Sequence, residues 1–132
     1  AGRKNGVTFY NDSKGTNPSS TLAAVRAVSG GGRVCLILGG SDKGLDYDEL
    51  FAALPADAMT ILMGETAAKM RRSAEKAGRR YATAANMRIA VETAYRSGCP
   101  IVVLSPAAAS LDAYRNYAER GEDFVRAVKS LL

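Results

Sequence analysis

Two stretches of the chain are apolar almost without interruption: "RVCLILGG" (33–40) and "PIVVLS" (100–105). Short aliphatic runs without alternation read as strands covered on both faces of a sheet. "GVTFYN" (6–11) and "MTILMG" (59–64) are further strand candidates, and "RRYATA" (79–84) is a weak one. Between them the spacing turns helical. Asn17-Pro18 supplies a cap and a first-turn proline for "SSTLAAVRAV" (19–28), which "SGGG" stops. Asp46 with Glu49 makes a capping-box pattern for "YDELFAAL" (47–54), closed by Pro55. "ETAAKMRRSAEKAG" (65–78) ends on Gly78, "NMRIAVETAYRSG" (86–98) follows, and "SLDAYRNYAERG" (110–121) and "EDFVRAVKSLL" (122–132) predict two C-terminal helices. Strands separated by helices of this length imply crossovers and a mainly parallel sheet between helical layers. The expected class is α/β, Rossmann-like, in one domain without repeats or linkers.

Composition narrows the picture. At 132 residues and 47% hydrophobic content, one core is expected, burying roughly two-thirds of the unfolded surface. No apolar run approaches the roughly 20 residues of a bilayer span, and "AGRKNG" lacks the apolar middle of a signal peptide, so a soluble, cytoplasmic chain is expected. Cys35 and Cys99 form no C-x-x-C pair and read as buried, reduced thiols. With no histidine, activation of a serine or cysteine by histidine and histidine-ligated metal sites are excluded within the chain. The net charge of +5 is compatible with anionic partners. Its densest basic group, Arg71, Arg72, Lys76, Arg79 and Arg80, reads as a solvated helix face, with no aromatic-rich signature of RNA binding beside it.

In a parallel α/β sheet, ligands bind outside the carboxyl ends of the strands. Three turns leave strands there: "NDSKGT" (11–16), "GGSDKG" (39–44) and "SPAAAS" (105–110). The first gathers Asn11, Asp12, Ser13, Lys14 and Thr16, which a pocket wall would use. Asp12 and Asn17 serve equally well as local caps, Lys14 as a solvated turn lysine, and Ser110 with Leu111 and Asp112 as a helix start and nothing more. Neither G-x-x-x-x-G-K-[ST] nor G-x-G-x-x-G after a strand occurs, which argues against a self-contained nucleotide hydrolase or dinucleotide binder. Lysines beside helix N-termini would still attract a carboxylate or phosphate.

"NDSKGTNPSSTLAAV", "LILGGSDKGLDYDEL" and "IVVLSPAAASLDAYRNYAERGEDFVRAVKSL" resemble, in the right order, the C-terminal domain of the Mur ligases. The resemblance runs from about Gly6 to Leu131, and the absence of D-N-P-R favours the D-glutamate-adding members. It implies the last domain of a three-domain cytoplasmic bacterial ligase, with the UDP-sugar and ATPase domains lying outside these 132 residues. It also implies ATP and Mg2+, an acyl phosphate of UDP-N-acetylmuramoyl-L-alanine, attack by the amine of D-glutamate, and no catalysis by the isolated domain. Residue by residue, it implies that Asp12 and Lys14 approach ATP, that Thr16 and Lys43 hold one carboxylate of D-glutamate, and that Ser110, Leu111 and Tyr117 hold the other. No catalytic group and no metal ligand are expected in the chain itself, no nucleic-acid or membrane partner, and a monomer. Three positions depart from the family pattern: Tyr117 replaces a phenylalanine, Asp42 sits beside Lys43, and "SPAAAS" has alanine for cysteine. Two alternatives stay open, a stand-alone anion- or nucleotide-binding module without catalysis and, more remotely, a receiver-like scaffold domain.

Overall fold

The computed structural model describes residues 2–111 and 113–131. Its elements run β1 (Gly2–Lys4), β2 (Val7–Asn11), α1 (Pro18–Val28), a 3-10 turn (Ser29–Gly31), β3 (Val34–Leu38), α2 (Asp48–Ala53), β4 (Met59–Leu62), α3 (Ala67–Lys76), β5 (Arg80–Thr83), α4 (Met87–Arg96), β6 (Ile101–Leu104) and α5 (Tyr117–Lys129). They build one six-stranded sheet in the order β1-β2-β6-β3-β4-β5, parallel except for β1. The expected α/β class and mainly parallel sheet are therefore what the chain adopts.

The continuous apolar runs became the central strands. Cys35 and Ile37 of β3 point into one core with Val102 and Leu104 of β6, while Val34, Leu36 and Leu38 point into the other with Ile101 and Val103. The first core is covered by α4 and α5, through Met87, Ala90, Val91, Ala94, Phe124, Ala127 and Val128. The second is covered by α1, α2 and α3, through Val25, Leu50, Phe51, Met70 and Ala74. The division follows from the strand order. Successive crossovers from β2 to β5 step one way along the sheet, α4 steps back to β6, and a crossover of fixed hand must then lie on the opposite face. Connections leave β3 and β6 toward opposite faces, so a crevice opens at their carboxyl ends.

Local chemistry explains most helix starts. Asn17 accepts from the Ser20 amide at 2.9 Å with Pro18 opening α1, as expected. Asn86 does the same for Ile89 in α4. Asp46 accepts from the Asp48 amide at 2.9 Å, and α2 starts behind Tyr47 without a side-chain cap, so the expected capping box with Glu49 does not form.

Three features differ from what the sequence pattern suggests. Gly2–Lys4, where no strand is predicted, pairs antiparallel with β2 through a two-residue turn in which Asn5 (φ 50°) and Gly6 (φ 82°) are both left-handed. The two C-terminal helices are one. Residues 110–111 and 113–116 lie in turns and bends, α5 begins behind Asn116, and Gly121 lies inside it because a Cβ there would come within 2.9 Å of the Asn11 side chain. Asp112 lies outside the described residues. The basic group is also only partly a solvated face. Arg79 caps the carboxyl end of α2, donating to the carbonyls of Phe51, Ala52 and Pro55. Both cysteines are buried free thiols, and the neighbouring Cys99 thiol, with burial, pushes Cys35 far above its ordinary value. Among the described residues no helix is long and apolar enough to cross a membrane.

Candidate functional site

The three turns form one rim. The Asp12 amide donates to Leu104 at 2.7 Å, and the Ala107 amide donates to Gly15 at 2.8 Å, joining the first turn to the third. The Gly39 amide donates to Pro106 at 3.0 Å, and the Ser41 amide donates to Ala109 at 2.8 Å, joining the second turn to the third. Residues 105–110 are thus the middle piece, hydrogen-bonded on both sides, and Ala107 takes a left-handed φ of 57° to reach Gly15. The spacing is too close for side chains at two glycines. A Cβ on Gly15 would lie 2.5 Å from Ser105 Oγ, and one on Gly40 would lie 2.1 Å from the Ala109 carbonyl.

Beneath this rim sits Arg120, 1% exposed. Its Nε donates to Ser13 Oγ at 3.1 Å, Nη2 to the Ser13 carbonyl at 2.8 Å and Nη1 to the Ala108 carbonyl at 3.0 Å. Ser13 Oγ in turn donates to the Tyr117 carbonyl, tying the first turn of α5 to the same rim. A buried arginine answering backbone carbonyls in this way holds two loops with charge-assisted bonds. Ser105 continues the network, donating to Asp12 Oδ2 at 2.7 Å and lying 2.9 Å from Thr21 Oγ1.

The predicted residues divide by exposure. Asp12 and Thr16 are half-buried, whereas Lys14 and Lys43 are exposed. Leu111 and Tyr117 are 62% and 52% exposed, large apolar groups left facing solvent at the rim. Ser110 is buried and does not open a helix: its carbonyl accepts from Ala113 and Tyr114 in a turn, and the first helical residue is Tyr117. The expected anion point of Ser110 plus helix N-terminus is therefore split between two places on one segment. Asp42, beside Lys43, is held elsewhere. It accepts from the Gly44 amide at 2.9 Å and from Lys69 at 3.3 Å, and these contacts lower its pKa in that order of importance. Behind it, the Tyr47 phenol is pushed up to about 12 by burial and then by the Asp42 charge.

Next to the rim lies a cleft of about 120 Å³ between the ends of β3, β4 and β5, lined by Gly39, Gly40, Gly64, Asn86, Tyr114 and Arg120 among others. Among the described residues no three aspartate, glutamate or cysteine side chains come together to hold a metal ion. Arg120 and Ser105 carry no individual signal in the sequence. Nothing in the spacing of a helical arginine announces burial, whereas Ser13 and Ser105 stood in turns already marked.

A family profile described as "Mur ligase, glutamate ligase domain" matches residues 1–108. The chain belongs to the Mur ligase family. This Mur ligase domain is 44% identical over 134 residues to the UDP-N-acetylmuramoylalanine--D-glutamate ligase of Streptococcus equi subsp. zooepidemicus, and 40% identical over the same length to that of Streptococcus agalactiae serotype Ia. It is 41% identical over 130 residues to that of Streptococcus mutans serotype c. These alignments cover 96–98% of the chain but 28–29% of the relatives, so the domain spans under a third of the length of the curated proteins it matches.

Proposed function

We propose that this domain binds the amino acid in an ATP-dependent, ADP-forming ligase that joins D-glutamate to UDP-N-acetylmuramoyl-L-alanine in bacterial peptidoglycan synthesis. What supports the reading is a coincidence: 40–44% identity to D-glutamate ligases across nearly the whole domain, and candidate residues that fall on one hydrogen-bonded rim. On this reading the domain is the last of three, in a monomeric cytoplasmic enzyme, and does not catalyse by itself.

ATP supplies the phosphoryl group that turns the alanyl carboxylate into an acyl phosphate. The domain's own residues bind and orient. Lys43 brings charge and Thr16 a hydroxyl to one carboxylate of D-glutamate, while Ser110, Leu111 and Tyr117 hold the other end of the molecule. Lys14 offsets phosphate charge, and Asp12, steadied by Ser105, orients it from the ATP side. Held at both ends, the amine has one direction of approach to the acyl carbon, and orientation of this kind is worth roughly 7–11 kcal/mol at best. No step is assigned to Mg2+ in this chain.

The test is a hybrid ligase in which this chain replaces the matching 134 residues of the Streptococcus equi relative. ADP release that requires D-glutamate and ignores L-glutamate is expected. Lys43→Ala should raise KM for D-glutamate about 30-fold, taking a charged hydrogen bond as about 2 kcal/mol. ADP release indifferent to the amino acid, or to Lys43→Ala, would overturn the reading.

A further inference from the structure

Lys43 is exposed and makes no hydrogen bond or ion pair among the described residues, yet the backbone that carries it is held on three sides. The Ser41 amide is bound by the Ala109 carbonyl at 2.8 Å. Glu65 accepts from the Asp42 amide at 2.7 Å. The Gly44 amide closes a turn onto Asp42 Oδ1 at 2.9 Å, the local side-chain-to-backbone bond that makes aspartate a turn residue. Gly44, at φ 79°, has the left-handed backbone that turn needs. The same oxygen, Asp42 Oδ1, receives Lys69 Nζ at 3.3 Å. Lys69 in turn lies over the ring of Tyr47, 5.6 Å from its centroid, and Tyr47 is 1% exposed in the core. A buried aromatic face is a firm seat for an ammonium.

A free carboxylate immediately before Lys43 would compete with any substrate anion for its charge. Here that carboxylate is already engaged from the α3 side.

We propose that Lys69 is a positioning residue for Lys43: seated on Tyr47, it ties down Asp42, which fixes the turn bearing Lys43 and leaves the Lys43 ammonium free for a carboxylate ligand. The assignment of that carboxylate to D-glutamate rests on the function proposed above; the fixing of the turn does not.

Two measurements test it, with Lys69→Met and Lys69→Arg. In this chain, backbone 15N relaxation should show the amides of Asp42, Lys43 and Gly44 losing order in Lys69→Met and regaining it in Lys69→Arg, with the rest of the domain unmoved. In the hybrid ligase, Lys69→Met should raise KM for D-glutamate about fivefold, the upper range of a part-exposed ion pair, without moving kcat or KM for ATP. Lys69→Arg should restore it. A turn that stays ordered in Lys69→Met overturns the proposal, as does an unmoved KM in a hybrid that responds to D-glutamate, or failure of arginine to restore either readout. A hybrid without any D-glutamate dependence sinks the function reading instead, and the relaxation experiment then decides the positioning of the turn alone.

Discussion

Asp12 and Lys14 stand on one turn and live in different surroundings. Asp12 is half-buried, its amide tied to Leu104 and its carboxylate to Ser105, while the Lys14 side chain is exposed and makes no hydrogen bond or ion pair among the described residues. The contrast extends around the rim. Ser13, Ser105, Thr21 and Arg120 form a buried network that fixes backbone, and Lys43, Leu111 and Tyr117 project from that backbone into solvent. A binding site needs both parts. The frame carries the cost of ordering before the ligand arrives, and the projecting groups stay unengaged so that their charge and apolar surface remain for it.

The contrast breaks hardest at Arg120. Arg120→Met leaves the buried Ser13 and Ala108 carbonyls without their charged donor, and at about 1–3 kcal/mol for each unsatisfied acceptor the cost should be about 2–6 kcal/mol. Urea unfolding measures it, and a loss below about 1 kcal/mol would show that the clamp is not the frame. Gly15→Ala comes next. Its methyl meets Ser105 Oγ at 2.5 Å and Asp12 Oδ2 at 2.7 Å, so about 1–3 kcal/mol should go as that pair is forced apart.

A smaller effect depends on pH. Asp48, away from the rim, accepts from Ser73 at 2.7 Å and Lys76 at 3.0 Å, which lower its pKa below 3.8. A lowered folded value stabilises the fold above that ordinary pKa and is lost as pH falls through the lowered one. The acid limb of a stability curve, below about pH 4, should therefore be shallower in Asp48→Asn; superimposable limbs would show the carboxylate to be uncoupled. The smallest change in stability belongs to the projecting half. Lys43→Ala and Leu111→Ala should each stay within about 0.5 kcal/mol of the parent in the same urea assay, even where ligand binding suffers.

Much of this was legible in the chain. Uninterrupted aliphatic runs at 33–40 and 100–105 gave the two central strands, and Asn17-Pro18 gave the start of α1. The misreadings have physical causes. Gly121 looked like a helix end because glycine is a poor helix former, but it is demanded by the Asn11 side chain crossing α5. Asn116 accepts from the Glu119 amide and Glu119 accepts from the Arg115 amide, so Asn116 with Glu119 is the sequence signal for the true start of α5. Asn5-Gly6, the strongest short hairpin signal, marked β1 in the same way. Arg120 had no signal at all, since its burial is set by loops distant in sequence. For the site, the turns could be located, but which side chains are engaged and which stay free depends on stitching between turns that no single turn encodes.

The hairpin formed by Gly2–Lys4 has a consequence for handling the molecule. Among the described residues only β1 shields the outer edge of β2, and it does so with three residues, two of them cationic, and with Lys4 reaching the carbonyl of Leu131. An open strand edge recruits strands from other molecules, and short charged edge strands are how natural sheets prevent this. A chain begun at Gly6 would present the bare ladder of β2, with Tyr10 already 40% exposed on that strand, and should self-associate at concentrations where the longer chain stays dispersed. Light scattering of the two chains side by side would measure how much colloidal stability three edge residues provide.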